Sequence, residues 1–129
     1  MVKRSLPKPT DGELSILRVL WHRGPSTVRE VLEELNKIQD TGYTTVLKMM
    51  QIMTEKGLLE RDNAERTHVF KPRLAEDDTQ RQLVNDLLER AFGGSAKKLV
   101  LHALSATKAS PRELGEIRRL LDEMEGGKR

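Results

Sequence analysis

Apolar positions recur at helical spacing in three separate runs over the first 56 residues. Leu14, Leu17, Val19, Leu20 and Trp21 form the first run, opened by Thr10-Asp11-Gly12-Glu13 and stopped by Gly24-Pro25. The opening is a capping-box pattern, in which hydroxyl and carboxylate each satisfy an amide that a first helical turn leaves free. Val28, Val31, Leu32, Leu35 and Ile38 form the second run, with Ser26 or Thr27 as its cap and Asp40-Thr41-Gly42 as the turn after it. The third helix is expected from about Tyr43 to Lys56, and Gly57 stands where a helix C-terminal glycine belongs. Two strand-like pieces follow, Leu58–Arg61 and Thr67–Lys71, joined by the polar turn Asp62-Asn63-Ala64-Glu65-Arg66 and closed by Pro72. Three helices and then a hairpin is the element order of a winged helix-turn-helix.

Past residue 75 the pattern is purely helical. Leu83, Val84, Leu87, Leu88, Ala91 and Phe92 make one stripe, ended by Gly93-Gly94. A helix from Ser95 to about Ser105 carries Leu99, Val100, Leu101 and Leu104. Ser110-Pro111-Arg112-Glu113 joins a capping box to a proline in the first turn and opens a last helix with Leu114, Ile117, Leu120, Leu121 and Met124. The expected fold is mainly α: a winged-helix domain over residues 1–75 and a helical dimerisation arm over residues 76–129. In that arm Leu83, Leu87, Leu88, Phe92, Leu99, Leu101 and Leu104 are the candidate contacts with a second copy, together with Ile117, Leu120, Leu121 and Met124.

Composition narrows the chemistry. Of 129 residues, 33% are charged and 3% aromatic, so the core must be aliphatic and modest. There is no cysteine, which excludes disulfides, thiolate metal sites and thiol redox sensing. The net charge of +3 sits entirely in residues 1–75, with 13 Lys and Arg against 10 acids, while residues 76–129 balance at 10 each. A polyanionic partner would therefore meet the first part of the chain, although an excess of three is a small signal by itself. Residues 1–9 read as a loose basic arm with Lys3, Arg4 and Lys8. No apolar run follows its basic residues, so it is not a signal peptide, and no run approaches the ~20 residues of a membrane span. A cytoplasmic protein with no membrane insertion is expected.

The third helix carries the most informative chemistry. Tyr43, Val46, Leu47, Met50, Met53 and Thr54 fall on one side, suited to packing on the first two helices. Thr44, Thr45, Lys48, Gln51, Ile52 and Glu55 gather on the other. That outer face suits a major groove: the two hydroxyls allow close approach, Lys48 and Gln51 match guanine and adenine edges, and Ile52 matches a thymine methyl. A merely solvated helix face would look the same, and the hairpin is what favours DNA, with Arg66 at its tip and His68 and Lys71 on the returning strand. The candidate contacts with double-stranded DNA are thus Thr44, Thr45, Lys48, Gln51, Arg66, His68 and Lys71. The alternative is a winged-helix module that binds protein and never touches DNA, against which Lys48, Arg66 and Lys71 weigh. His22, His68 and His102 are scattered without ligand spacing. Neither paired carboxylates nor an activated nucleophile appears, so no enzyme, metal or cofactor is expected.

Thr44-Thr45-Val46, Lys56-Gly57-Leu58-Leu59 and Arg66-Thr67-His68-Val69-Phe70-Lys71-Pro72 resemble the signature of the penicillinase-repressor (BlaI/MecI/CopY) family. Glu13-Leu14 through Leu20-Trp21, Thr27-Val28-Arg29-Glu30-Val31 and Phe92-Gly93-Gly94-Ser95 with Leu99-Val100-Leu101 extend the likeness in order along nearly the whole chain. The resemblance implies a homodimer that binds an inverted-repeat operator and represses transcription. It also implies two inducing routes, a copper-sensing cysteine cluster or cutting of the arm by a partner membrane metalloprotease. The absence of cysteine excludes the first. In the second, the cut Asn-Phe bond of the family is matched here by His102-Ala103, which departs from the pattern.

Overall fold

The computed structural model describes residues 7–64 and 66–126. Residues 1–6 of the expected basic arm, Glu65 of the hairpin turn and residues 127–129 lie outside them. In chain order the elements are α1 (Asp11–Arg23), α2 (Val28–Leu35), α3 (Tyr43–Lys56), β1 (Leu59–Asp62), β2 (Val69–Pro72), α4 (Glu76–Phe92), α5 (Ala96–Ala106) and α6 (Pro111–Gly126). Two compact units divide the chain, one ending at Val84 and the other beginning at Asn85, so the boundary falls inside α4.

Helix ends in the first unit follow local chemistry. Thr10 closes a full capping box on α1: its hydroxyl accepts from the Glu13 amide and its own amide donates to the Glu13 carboxylate. Thr27 does the same for α2 with Glu30, which leaves Ser26 free for another task. Ser26 is fully buried and exchanges two backbone hydrogen bonds with Phe70, at 3.0 and 2.8 Å. α2 ends at Leu35, earlier than the apolar spacing predicts. The Asn36 side chain accepts from the Thr41 amide, folding the chain back, and Ile38 projects into solvent with 79% of its surface exposed. α3 ends at Gly57, whose φ of 88° is left-handed and favours glycine, and the Leu58 amide reaches back to the Met53 carbonyl at 2.9 Å.

The core of this unit draws evenly on its elements. Ile16, Leu17 and Leu20 come from α1, Val28, Val31 and Leu35 from α2, and Val46, Met50 and Met53 from α3. Leu58, Leu59 and Phe70 close it from the hairpin side. Each such side chain contributes about 1.5–3 kcal/mol when fully buried. β1 and β2 are antiparallel, with Leu59 opposite Pro72, Glu60 opposite Lys71, Arg61 opposite Phe70 and Asp62 opposite Val69. α1 and α3 approach closely at Gly12, where a Cβ would stand 2.8 Å from the Met49 methyl. Nearby, Glu13 is buried, and its carboxylate accepts two hydrogen bonds from Lys56 Nζ, at 2.9 and 2.8 Å. That pair ties the start of α1 to the end of α3. Trp21 Nε1 donates to the Leu74 carbonyl at 3.1 Å, fixing the chain as it leaves β2.

The second unit has a different character. Ser95 and Ser110 cap α5 and α6 by accepting from the amides of Lys98 and Glu113. The Phe92 ring lies 5.8 Å from that of His102. No described side chain of α5 or α6 is buried, and Val100, Leu101, Leu120, Leu121 and Met124 are all about half exposed or more.

Candidate nucleic-acid interface

α3 sorts its residues as its periodicity requires. Val46, Met50 and Met53 enter the core, while Thr44, Thr45, Lys48, Gln51, Ile52 and Glu55 are all exposed. Burial of the inner face is what holds this outer face outward. Gly42 provides no side-chain cap and the first turn holds no acid, so its amides and the positive end of the helix dipole meet Thr44 and Thr45 with no competing carboxylate. Tyr43, expected on the core side, is 42% exposed, and the Arg29 guanidinium carbon lies 5.2 Å from its ring centroid.

Beside α3 runs a cleft of about 550 Å³, walled by the start of α2, by α3 and by the hairpin. Arg29, Gln51, Arg61, Arg66 and His68 are its polar lining together with Thr27, Thr67 and Tyr43, and no described carboxylate borders it. Strand alternation decides which hairpin residues belong here. His68 and Phe70 share a parity and point to the cleft side, and Arg61 stands opposite Phe70. Lys71 has the other parity. It lines another recess with Pro25, Glu60, Asp62 and Val69, which Arg61 borders as well, and its Nζ lies 3.7 Å from the Glu60 carboxylate. The structure thus brings Gln51, Arg66 and His68 to one concavity, leaves Thr44, Thr45 and Lys48 on the exposed ridge of α3, and sets Lys71 on the other face of the hairpin.

Charge pairing sharpens this distribution. Two of the three acids of α2 have cations of their own: Glu30 pairs with Arg23 at 3.0 Å and Glu34 with Lys37 at 3.0 Å. The Thr27 backbone amide, with Arg23 beside it, holds the Glu30 carboxyl below its usual range, and the Lys37 ammonium does the same for Glu34. Among the described residues no carboxylate pairs with Arg29, Arg61 or Arg66, and none borders the cleft. Arg29, Arg61 and Tyr43 escape sequence reasoning because their meeting depends on the crossing of α2 over α3 and on the hairpin register. The only local signal was an arginine at an outward position in the first turn of α2. No group of three or more His, Asp or Glu among the described residues is placed to hold a metal ion, and no described helix is long and apolar enough to cross a membrane.

A family model described as penicillinase repressor matches residues 9–123. The chain is 26% identical over 126 residues to the penicillinase repressor of Bacillus licheniformis, covering 98% of each. It is 33% identical over 119 residues to the transcriptional regulator BlaI of Mycobacterium tuberculosis, covering 91% of this chain and 85% of that one. Among solved structures it is similar to the monomeric form of B. licheniformis BlaI in complex with the blaP half-operator. The TM-score is 0.51 at 28% identity, over 57% of this chain and 90% of that one. The DNA-binding domain of the repressor BlaI matches equally well, with a TM-score of 0.51 over 59% of this chain. Three helices followed by a hairpin form a winged helix, and with a family match that continues through the arm, the chain belongs to the penicillinase-repressor family of transcriptional regulators.

Proposed function

We propose that this protein is a transcriptional repressor that binds an inverted-repeat operator in double-stranded DNA as a homodimer. The observation that carries the reading is the outer face of α3, where Lys48 and Gln51 stand exposed on a helix whose other face is buried, next to an arginine-lined cleft that no described carboxylate borders. Lys48 and Gln51 are the base-edge readers, with Thr44 and Thr45 bonding phosphate or base at the start of the helix. Arg66 and His68 approach the duplex from the hairpin. Lys71 joins them only if its weak pair with Glu60 gives way, and exposed pairs of that kind are worth about 0–1 kcal/mol.

The dimer is supported by the apolar surface of the arm. Val100, Leu101, Leu120, Leu121 and Met124 are about half exposed, so covering each gains on the order of 1 kcal/mol. A two-fold pair of such arms sets two copies of α3 on successive major grooves, which is the geometry an inverted repeat demands. Acting on DNA, the protein works in the cytoplasm. A membrane metalloprotease is the partner that would end repression, under one constraint: His102-Ala103 lies inside α5, so the helix must open before that bond can enter a protease.

Selection of duplexes from a random library with the full chain, followed by sequencing, tests this. An enriched inverted repeat, bound by a species that sediments as a dimer, is the expected result. Failure to enrich any sequence, or tight binding of a single unrepeated site by a monomer, would overturn it.

A further inference from the structure

Three arginines line the cleft beside α3, and the placement of two of them, Arg29 and Arg61, is specific. Arg29 is on the first turn of α2, exposed, with its guanidinium over the ring of Tyr43, the first residue of α3. Arg61 reaches the same cleft from β1. Neither has a carboxylate within ion-pair distance among the described residues, and Glu30 and Glu34 of α2 are paired with Arg23 and Lys37. An arginine suits this position better than a lysine, because its planar cation stacks on a ring and still offers donors at its edge. The concavity lies between Gln51 of α3 and the hairpin, beside the face proposed above to enter a major groove.

We infer that Arg29 and Arg61 clamp a backbone phosphodiester of duplex DNA in this cleft, and that Tyr43 is the positioning residue that holds the Arg29 guanidinium toward it. This rests on the DNA-binding reading above and adds a sequence-independent grip to it. Stacking on Tyr43 restricts a long side chain before DNA arrives, so less freedom is lost on binding. Because Tyr43 opens the recognition helix, the phosphate contact and the base-reading face are set by one element.

The test is titration of the full chain, by fluorescence anisotropy, on a selected operator duplex and a random-sequence duplex across a series of salt concentrations. The double variant Arg29→Gln/Arg61→Gln should lower the slope of log affinity against log salt by about 0.9, the value for one phosphate neutralised, and each single variant should lower it by part of that. Each variant should weaken the two duplexes by the same factor. Tyr43→Ala should weaken binding in the wild-type background and add nothing to Arg29→Gln, whereas Tyr43→Phe, which keeps the ring, should bind as the wild type does. Should Arg29→Gln fail to fold, Arg29→Lys serves instead: it should keep the slope and lose its sensitivity to Tyr43→Ala. An unchanged slope in both glutamine variants, or losses confined to the operator, overturns the clamp while leaving DNA binding intact. A wild-type chain that binds neither duplex overturns the underlying function instead.

Discussion

Glu13→Gln isolates the charge in the Glu13–Lys56 pair, since the amide oxygen can still accept from Thr10 and keep the capping box. Glu13 is 5% exposed and receives both of its Lys56 hydrogen bonds under 3 Å. A hydrogen bond to a charged group is worth about 1.5–3 kcal/mol. The Lys56 side chain is 37% exposed and can turn to water when its partner is neutral, so the expected loss falls to about 1–2 kcal/mol. Glu13→Ala also removes the bond to the Thr10 amide and should cost about 1 kcal/mol more. Urea unfolding followed by the fluorescence of Trp21, the single tryptophan, and by helical circular dichroism measures both. Acidity supplies the sign. Burial pushes the Glu13 carboxyl up, but the hydrogen bonds from Lys56 and Thr10 outweigh it and hold the folded value below 4.5. The ionised form therefore stabilises the fold fully above that unfolded value, and the advantage is lost as pH falls through the folded one. The difference between wild type and Glu13→Gln should be full at neutral pH and vanish in acid. A glutamine variant as stable as the wild type at neutral pH, or a deficit that persists unchanged in acid, would refute the reasoning.

Lys48→Ala should weaken operator binding by about 1–3 kcal/mol and random DNA far less; equal losses on both would make Lys48 a phosphate contact. Arg66→Ala should weaken all duplexes alike and lower the salt slope by about one, and an unaltered slope would remove Arg66 from the interface. Gly57→Ala tests the turn out of α3. Its Cβ would meet only ordinary contacts, Arg73 Nη1 at 3.8 Å and Pro7 Cγ at 4.0 Å, so the cost of about 1–2 kcal/mol comes from the left-handed backbone alone. Thermal melting should show this loss, and Gly57→Asn should recover part of it.

Local chemistry was legible in the sequence where a few neighbouring residues decide it. The Thr10–Glu13 box, the Gly57 terminus and the two faces of α3 each follow from hydrogen-bond valence or helical period within one or two turns. The strands Leu59–Asp62 and Val69–Pro72 lie within one or two residues of where composition puts them. Long-range contacts were not legible in this way. Glu13 meets Lys56 across 43 residues, and Trp21 meets the Leu74 carbonyl across 53, and no periodicity specifies either. Ile38 continues the apolar spacing of α2 yet lies outside the helix, because Asn36 offers the backbone a competing partner. For the candidate site, period could separate Lys48 from Met50. Strand parity alone separates the face of His68 from that of Lys71, but only the hairpin register could set Arg61 opposite Phe70, and only the packing of α2 on α3 could place Arg29 on Tyr43.

The Ser26–Phe70 bridge gives the hairpin the mechanics of a beam clamped at its root. Two backbone hydrogen bonds fix Phe70 to the segment that enters α2, and Ser26 Oγ is locked in turn between Arg23 Nε at 3.1 Å and the Gly24 carbonyl at 2.8 Å. Bending is thereby confined to the free length beyond Val69, and the root moves only with the helices. Loss of the Ser26 hydroxyl would remove its bonds to Arg23 and the Gly24 carbonyl while leaving both backbone bonds to Phe70, so it would loosen the root of the hairpin without displacing the side chains at its tip.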